Sequence, residues 1–327
     1  MLDFAAAGAR EGVLSSQGQM YTADAHHSRA GQAIGSLLAL VLFIILALAT
    51  ISGYLLYQVL DPPRSPASID LSLLMGHPTV YKFDLPAGGV REGWFFPGQL
   101  HGPTIILCHG YGSQRADILT LVTAFQEHQF NVFLFDFTGH GSVPGHTSLG
   151  FNGAGELLAA IRGLAKRDDV DQARFGVWGV DLGAYAALSA AAQDARIKAI
   201  AVDSAYDTPR DFLLINVGRT GLGALPGVQT FCSFGFSFLN HSHRADPPIS
   251  ALLPRLRSIP KLFIQTTDKS ALATATLRMY QAAQGPKFEI VDSQAYSEMS
   301  DEDRRNYETQ VVNFFLQSLP PGSDDSR

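Results

Sequence analysis

The stretch "AIGSLLALVLFIILALATISGYLLYQVL", Ala33 to Leu60, runs 28 residues without a charged side chain. In hydrocarbon every backbone N–H and C=O must find its partner within the chain, and a helix satisfies them within one segment. At about 1.5 Å per residue it reaches roughly 42 Å, more than the roughly 30 Å apolar core of a bilayer. Tyr54 and Tyr57 fall near its C-terminal end, where aromatic rings favour the membrane–water interface. The expectation is one transmembrane helix, with the lipid bilayer as a partner and a cell-membrane location. Two alternatives stand beside it. Ala47-Leu48-Ala49 resembles a signal-peptide cleavage site, although the run is too long and the region before it too long and too evenly charged. A buried core helix is the other. Arg10 and Arg29 precede the run, while Arg64 and Lys82 follow it. That balance leans towards an inside N-terminus and a soluble domain on the non-cytoplasmic side.

The rest of the chain divides around this helix. Residues 1–32 mix Ala, Gly and Ser without periodicity and read as a flexible tail. The Pro-rich "DPPRSPAS" cannot continue a helix and makes 61–74 a linker. Beyond it, apolar strands at Thr104–Cys108, Val132–Phe137, Phe175–Val180, Ala199–Val202, Lys261–Gln265 and Phe288–Val291 alternate with helical patterns. Those helices fall at Ala116–His128, Ala154–Lys166, Ala184–Ala192, Ala271–Ala283 and Asp303–Gln317. Uncharged strands alternating with helices predict a mostly parallel sheet covered on both faces, a doubly wound α/β domain over 75–318. Residues 319–327 read as a second flexible tail.

Several function classes drop out. Net charge is −6 and the 24 Lys and Arg are scattered, so no nucleic-acid partner is expected. The two cysteines, Cys108 and Cys232, are too few for a disulfide framework. The pairs His26-His27 and His241/His243 lack a third ligand at recognisable spacing, so no metal and no cofactor are expected.

Chemistry concentrates at the ends of strands. "ILCHGYGSQ" sets a tight loop after an apolar strand, aimed to present the Tyr111 N–H to a developing oxyanion. "FDFTGHG" follows the next strand and holds His140, read as a structural loop histidine. In "RFGVWGVDLGAYAAL" a strand runs into a helix through Gly179-Val180-Asp181-Leu182-Gly183. This is the spacing of a nucleophile elbow, whose flanking glycines, Gly179 and Gly183, remove side chains that would clash. Asp181 stands where the elbow normally holds serine. Asp268 follows a later strand, "KLFIQTTD", in the chain order nucleophile then acid.

These stretches, with "IKAIAVDSAYD" and "ADPPISALLPRLRSIPKLFIQTTD", resemble the α/β-hydrolase family, in particular its membrane-anchored bacterial serine hydrolases related to dienelactone hydrolases. The resemblance implies an α/β-hydrolase fold with a small helical cap at about 204–258. It places oxyanion N–H groups at Tyr111 and Leu182, the nucleophile position at Asp181 and the acid at Asp268. The family's histidine motif matches "SQAYS", so Tyr296 takes the place of the catalytic histidine.

A serine triad needs a hydroxyl nucleophile and an imidazole base. Asp181 offers no hydroxyl, and a tyrosine with an ordinary pKa near 10 is a poor base at neutral pH. Some relatives use an aspartate nucleophile, but their second step needs a histidine to activate water. Here the last histidine is His243, and Leu182 replaces the tryptophan that follows the aspartate in haloalkane dehalogenases. His109 or His140 is a conceivable substitute base. The leading expectation is a catalytically inactive triad in a binding or structural subunit of a membrane assembly, with a small-molecule ligand in the old pocket as a further option. The alternative is an active hydrolase on an ester, acyl or other small substrate through Asp181. A static hydrogen bond from Tyr296 to Asp181, beside a mutually repelling Asp181–Asp268 pair, is expected to hold the inactive site together.

Overall fold

The computed structural model describes residues 14–64, 69–86 and 88–322. Eight strands form one sheet: β1 (Thr79–Asp84), β2 (Val90–Phe96), β3 (Gly102–Cys108), β4 (Asn131–Phe135), β5 (Val170–Val180), β6 (Ile197–Asp203), β7 (Lys261–Thr266) and β8 (Lys287–Asp292). Their spatial order is β1-β2-β4-β3-β5-β6-β7-β8. From β4 to β8 every pairing is parallel, while β1 and β2 add antiparallel edge strands. The helices are α1 (Leu14–Leu60), α2 (Leu119–Gln126), α3 (Phe151–Leu164), α4 (Leu182–Ala191), α5 (Pro209–Gly218), α6 (Val228–Leu239), α7 (Ile249–Leu252), α8 (Ser270–Ala282) and α9 (Asp301–Ser318).

The central strands are apolar because both faces are covered. Ile106 and Cys108 of β3 point into a core shared with α3, α4 and α8. Ile105 and Leu107 point the other way, into a core shared with α2 and α9. That alternation is the two-residue period of a strand expressed on a sheet with two buried faces. The edge strands β1 and β2 lie outside the strands read from the sequence, because charged residues interrupt them. Lys82 sits opposite Glu92 across that ladder.

Three expected boundaries change. α1 begins at Leu14, so residues 14–32 are helical rather than a flexible tail; residues 1–13 lie outside those described. No proline interrupts Leu14 to Leu60, and extending an existing helix avoids a new nucleation cost. Part of the linker, 65–68, lies outside the described residues, but Ile69, Leu71 and Leu74 pack on the α2/α9 core. At the C-terminus Leu319 is buried, Arg174 Nη2 donates to the Pro320 carbonyl (2.5 Å) and Gln99 Nε2 to that of Gly322 (2.8 Å). The chain is therefore tied down to Gly322, with 323–327 outside the described residues.

The last turns of α1 belong to the core of the domain. Leu55, Leu56, Val59 and Leu60 are buried, and the Leu60 carbonyl accepts from the Thr147 N–H at 2.8 Å. Between β6 and β7 the chain forms α5, α6 and α7 with short 3-10 turns, and α6 lies against α1. Ser52 Oγ donates to the Val228 carbonyl (3.2 Å), and Cys232 Sγ donates to that of Ser52 (3.4 Å).

Candidate active site

Strand β5 pairs with β3 so that Gly179 stands beside Cys108, and with β6 so that Val180 stands beside Asp203. This register brings the loop after β3, the elbow after β5 and the end of β6 to one edge of the sheet. Asp181 holds φ 48° and ψ −108°, at the turn from β5 into α4. For a non-glycine residue such a backbone costs on the order of 1–3 kcal/mol and persists only where the surroundings force it. The surroundings do so here. A Cβ added at Gly179 would collide with the Gly183 backbone, and one at Gly183 with the Cys108 carbonyl oxygen. Helix and strand approach at that point more closely than any other residue permits. A Cβ at Gly110 would lie 3.1 Å from Asp181 Oδ2, so the buried carboxylate is turned towards the loop after β3. Leu182 is the first residue of α4, and its N–H is among those a helix leaves without an internal acceptor.

The loop after β3 is held by its own histidine. His109 is fully buried; its Nε2 accepts from the Phe137 N–H at 3.1 Å, which leaves the proton on Nδ1, 2.8 Å from the Gly110 carbonyl. Both ring nitrogens are thus engaged by backbone, and burial holds the ring's pKa below the usual histidine value. His140 packs 5.3 Å from His109, ring centre to ring centre. Burial, reinforced by the neighbouring His109, pushes His140 down to about 3. Its Nδ1 meets the Thr138 carbonyl at 3.3 Å and its Nε2 is buried without a hydrogen-bond partner. Tyr111 sits between these rings and the cap: 5.9 Å from His140, 5.4 Å from Phe212, with its hydroxyl donating to the Val59 carbonyl of α1 at 3.0 Å. Burial raises its hydroxyl to about 12.

The three triad-equivalent positions do not converge as expected. Asp268 is exposed, and its Oδ2 accepts from the Ala295 N–H at 3.1 Å. An exposed Asp268 removes the expected buried carboxylate pair. Tyr296 is buried on the opposite face of the sheet, against Trp178 and Tyr307 in the core under α2 and α9. Its hydroxyl donates to Glu308 Oε1 at 2.6 Å and meets Thr120 Oγ1 at 2.7 Å. The expected Tyr296–Asp181 hydrogen bond is therefore replaced by one to Glu308 of α9, because the ring is buried in the core under α2 and α9. Burial, then the Glu308 carboxylate, drive this hydroxyl further above its ordinary range.

The buried carboxylate next to the elbow is Asp203, which the sequence reading left without a role. Its carbonyl accepts the Asp181 N–H at 3.0 Å. Its carboxylate accepts from Ser204 (2.8 Å), Thr266 (2.7 Å) and Tyr307 (3.0 Å), and Trp178 Nε1 donates to that same Tyr307 oxygen at 3.1 Å. Three hydroxyl donors satisfy a buried acid that would otherwise be costly to enclose. The available signal was an acid closing the wholly apolar end of "IKAIAVD". Tyr185 stacks on Tyr206 at 5.5 Å and forms part of the wall. His243 joins the cap to α3 by stacking on Phe151 at 4.8 Å and meeting Asn152 Oδ1 at 3.1 Å. Among the described residues no cluster of three metal-ligating side chains occurs.

The model of the alpha/beta hydrolase family matches residues 105–312, and the chain belongs to that family. The uncharacterized protein YfhR of Escherichia coli is 29% identical over 254 residues, 73% of this chain and 81% of that one. An uncharacterized 31.7 kDa Escherichia coli protein from the traX-finO intergenic region is 34% identical over 112 residues, 33% of this chain and 39% of its own length. Among solved structures, a Pyrococcus furiosus esterase matches with a TM-score of 0.62 at 18% identity, over 80% of this chain and 98% of that one. That last likeness is one of fold.

Proposed function

We propose that this chain is a membrane-anchored member of the family that binds rather than catalyses, serving as a structural or ligand-holding subunit of a membrane assembly. The observation that carries this reading is the fate of the base. Tyr296, at the histidine's position in the chain, spends its hydroxyl on Glu308, and the His109 ring is committed to two backbone groups. His140, with its pKa at about 3, is too weak a base to take a proton at neutral pH. Without an imidazole, neither a serine-type nor an aspartate-type cycle has a group to activate water. Gly179, Gly183 and the elbow are then retained because the β3–β5–α4 packing needs them. The uncharged run Ala33–Leu60 of α1 supports anchorage, and the bonds from Tyr111 and Thr147 to its last turn fix the domain to the anchor.

A second reading has one observation in its favour. The carboxylate of Asp181 is still presented on the strained elbow towards the Gly110 loop, the placement an attacking group needs. The two readings separate on purification from detergent-solubilised membranes. A stable stoichiometric partner is expected. A chain that elutes alone and turns over an ester or an alkyl halide contradicts the proposal.

A further inference from the structure

We infer that the cap segment from Thr220 to Phe234 is a second membrane-contacting surface, lying against one leaflet beside α1. This rests on the reading of α1 as the membrane span. The first observation is one of length. Each residue from Ala33 to Leu46 is exposed, 14 residues in all. These rise only about 21 Å, short of the roughly 30 Å hydrocarbon core. Upstream, Arg29 and His27 bound the apolar run, so the missing length comes from the C-terminal side. About six more residues at 1.5 Å each bring the boundary to the neighbourhood of Ser52.

Ser52 is where the cap docks. A Cβ on Gly227 would sit 3.4 Å from Leu48, and one on Gly235 would sit 2.9 Å from Leu56. Val228 and Cys232 bond to Ser52 between them. Residue for residue, α6 rises along α1 in the same direction, and Gly227, Cys232, Gly235 and Ser52 supply the small side chains of a close helix pair. The start of α6 and the turn before it therefore lie level with Leu48, inside the length of α1 that the bilayer must cover.

The outward face of this segment reaches that depth at its start: Leu222 and Leu225 precede Gly227 on the Leu48 side, Phe234 falls level with Leu55 at the boundary, and Phe238 and Leu239 rise beyond it, level with Val59 and Leu60. Leu222, Leu225, Phe234, Phe238 and Leu239 are 45%, 42%, 71%, 70% and 60% exposed. No charged residue occurs from Thr220 to Asn240. Phe234 and Phe238 are four apart and share one side of α6, opposite Cys232 and Phe236, which are buried. On α1, Tyr54 and Tyr57 are 57% and 56% exposed at the same level, a tyrosine belt where an interface would lie. An apolar helix face of this size, level with a span and without charge, is matched by lipid acyl chains and headgroup boundary.

The test uses the full chain in phosphatidylcholine nanodiscs with brominated acyl chains, and tryptophan introduced by Phe43→Trp, Phe234→Trp, Leu225→Trp or Phe288→Trp. Native Trp94 and Trp178 are buried and give a constant background that also reports folding. Phe43→Trp reports α1 itself, and Phe288→Trp is the water-side control on β8. The expected result is about twofold bromine quenching of the added signal for Phe43→Trp, Phe234→Trp and Leu225→Trp, and none for Phe288→Trp. If Phe43→Trp is not quenched, the spanning reading of α1 fails. If Phe43→Trp is quenched but neither cap variant is, the inference is overturned, and water or another polypeptide covers the cap.

Discussion

Tyr296→Phe separates a structural tyrosine from a remnant base. The substitution removes one oxygen and keeps the ring that packs 5.7 Å from Trp178 and 5.2 Å from Tyr307, centre to centre. The lost hydroxyl donates to Glu308 at 2.6 Å and meets Thr120 at 2.7 Å, and both Tyr296 and Glu308 are buried. A hydrogen bond to a charged group contributes about 1.5–3 kcal/mol, and leaving a buried carboxylate short of a donor puts the loss in that range. For a domain of this size each kcal/mol moves Tm by about 2–4 °C, so the expected fall is about 3–12 °C. Thermal unfolding of the full chain, followed by the emission of Trp94 and Trp178, measures it directly. Glu308→Gln and the double variant close a cycle in which the two losses are expected to be non-additive. A Tm within about 1 °C of the parent would refute the reasoning, because the Glu308 bond would then contribute nothing. It would also return Tyr296 to consideration as a group of the site.

Gly183→Ala places a Cβ against the Cys108 carbonyl; backbone cannot move aside as a side chain can, so a loss of at least about 1–3 kcal/mol is expected in denaturant unfolding. His140, held at about 3 against an ordinary 6.5, binds its proton less readily folded than unfolded. Its contribution is therefore complete above about pH 6.5 and lost at about 1.4 kcal/mol per pH unit as pH falls towards 3. His140→Phe should flatten the Tm–pH slope in that window, and an unchanged slope would contradict it. Arg91 is buried, donating to the Asp136 carbonyl (2.7 Å) and Thr138 (2.9 Å) and pairing with buried Glu156 (3.3 Å). Arg91→Met leaves that carboxylate unpaired and should cost about 3–5 kcal/mol in denaturant unfolding. Adding Glu156→Gln should recover part of the loss, and no recovery would contradict the pairing.

The parallel core was legible because its strands are uncharged runs, and the elbow because Gly179 and Gly183 bracket a strand-to-helix turn. The antiparallel pair β1 and β2 was not, since Lys82 and Glu92 mask an edge ladder whose partners lie across a hairpin. Asp181 stands at the turn from β5 into α4, and its positive φ goes with the packing of Gly183 on Cys108. Tyr296 shows the limit of alignment by position. It follows Asp268 in the chain, but its ring packs on Trp178 and Tyr307 and its hydroxyl bonds to Glu308, contacts made only once α9 folds against the sheet. Asp203 escaped for the related reason that its three donors, Ser204, Thr266 and Tyr307, meet only in the folded sheet. The helical start at Leu14 was hidden because Ala, Gly and Ser show no apolar period, although nothing among them forbids a helix that α1 extends.

The central claim, that the elbow persists without chemistry, is tested most directly by turnover. The full chain in nanodiscs is incubated with p-nitrophenyl esters and with an alkyl chloride, beside Asp181→Asn. The account predicts that both proteins release product at the rate of empty nanodiscs. Release above that background that disappears on Asp181→Asn would contradict it and make Asp181 a working nucleophile.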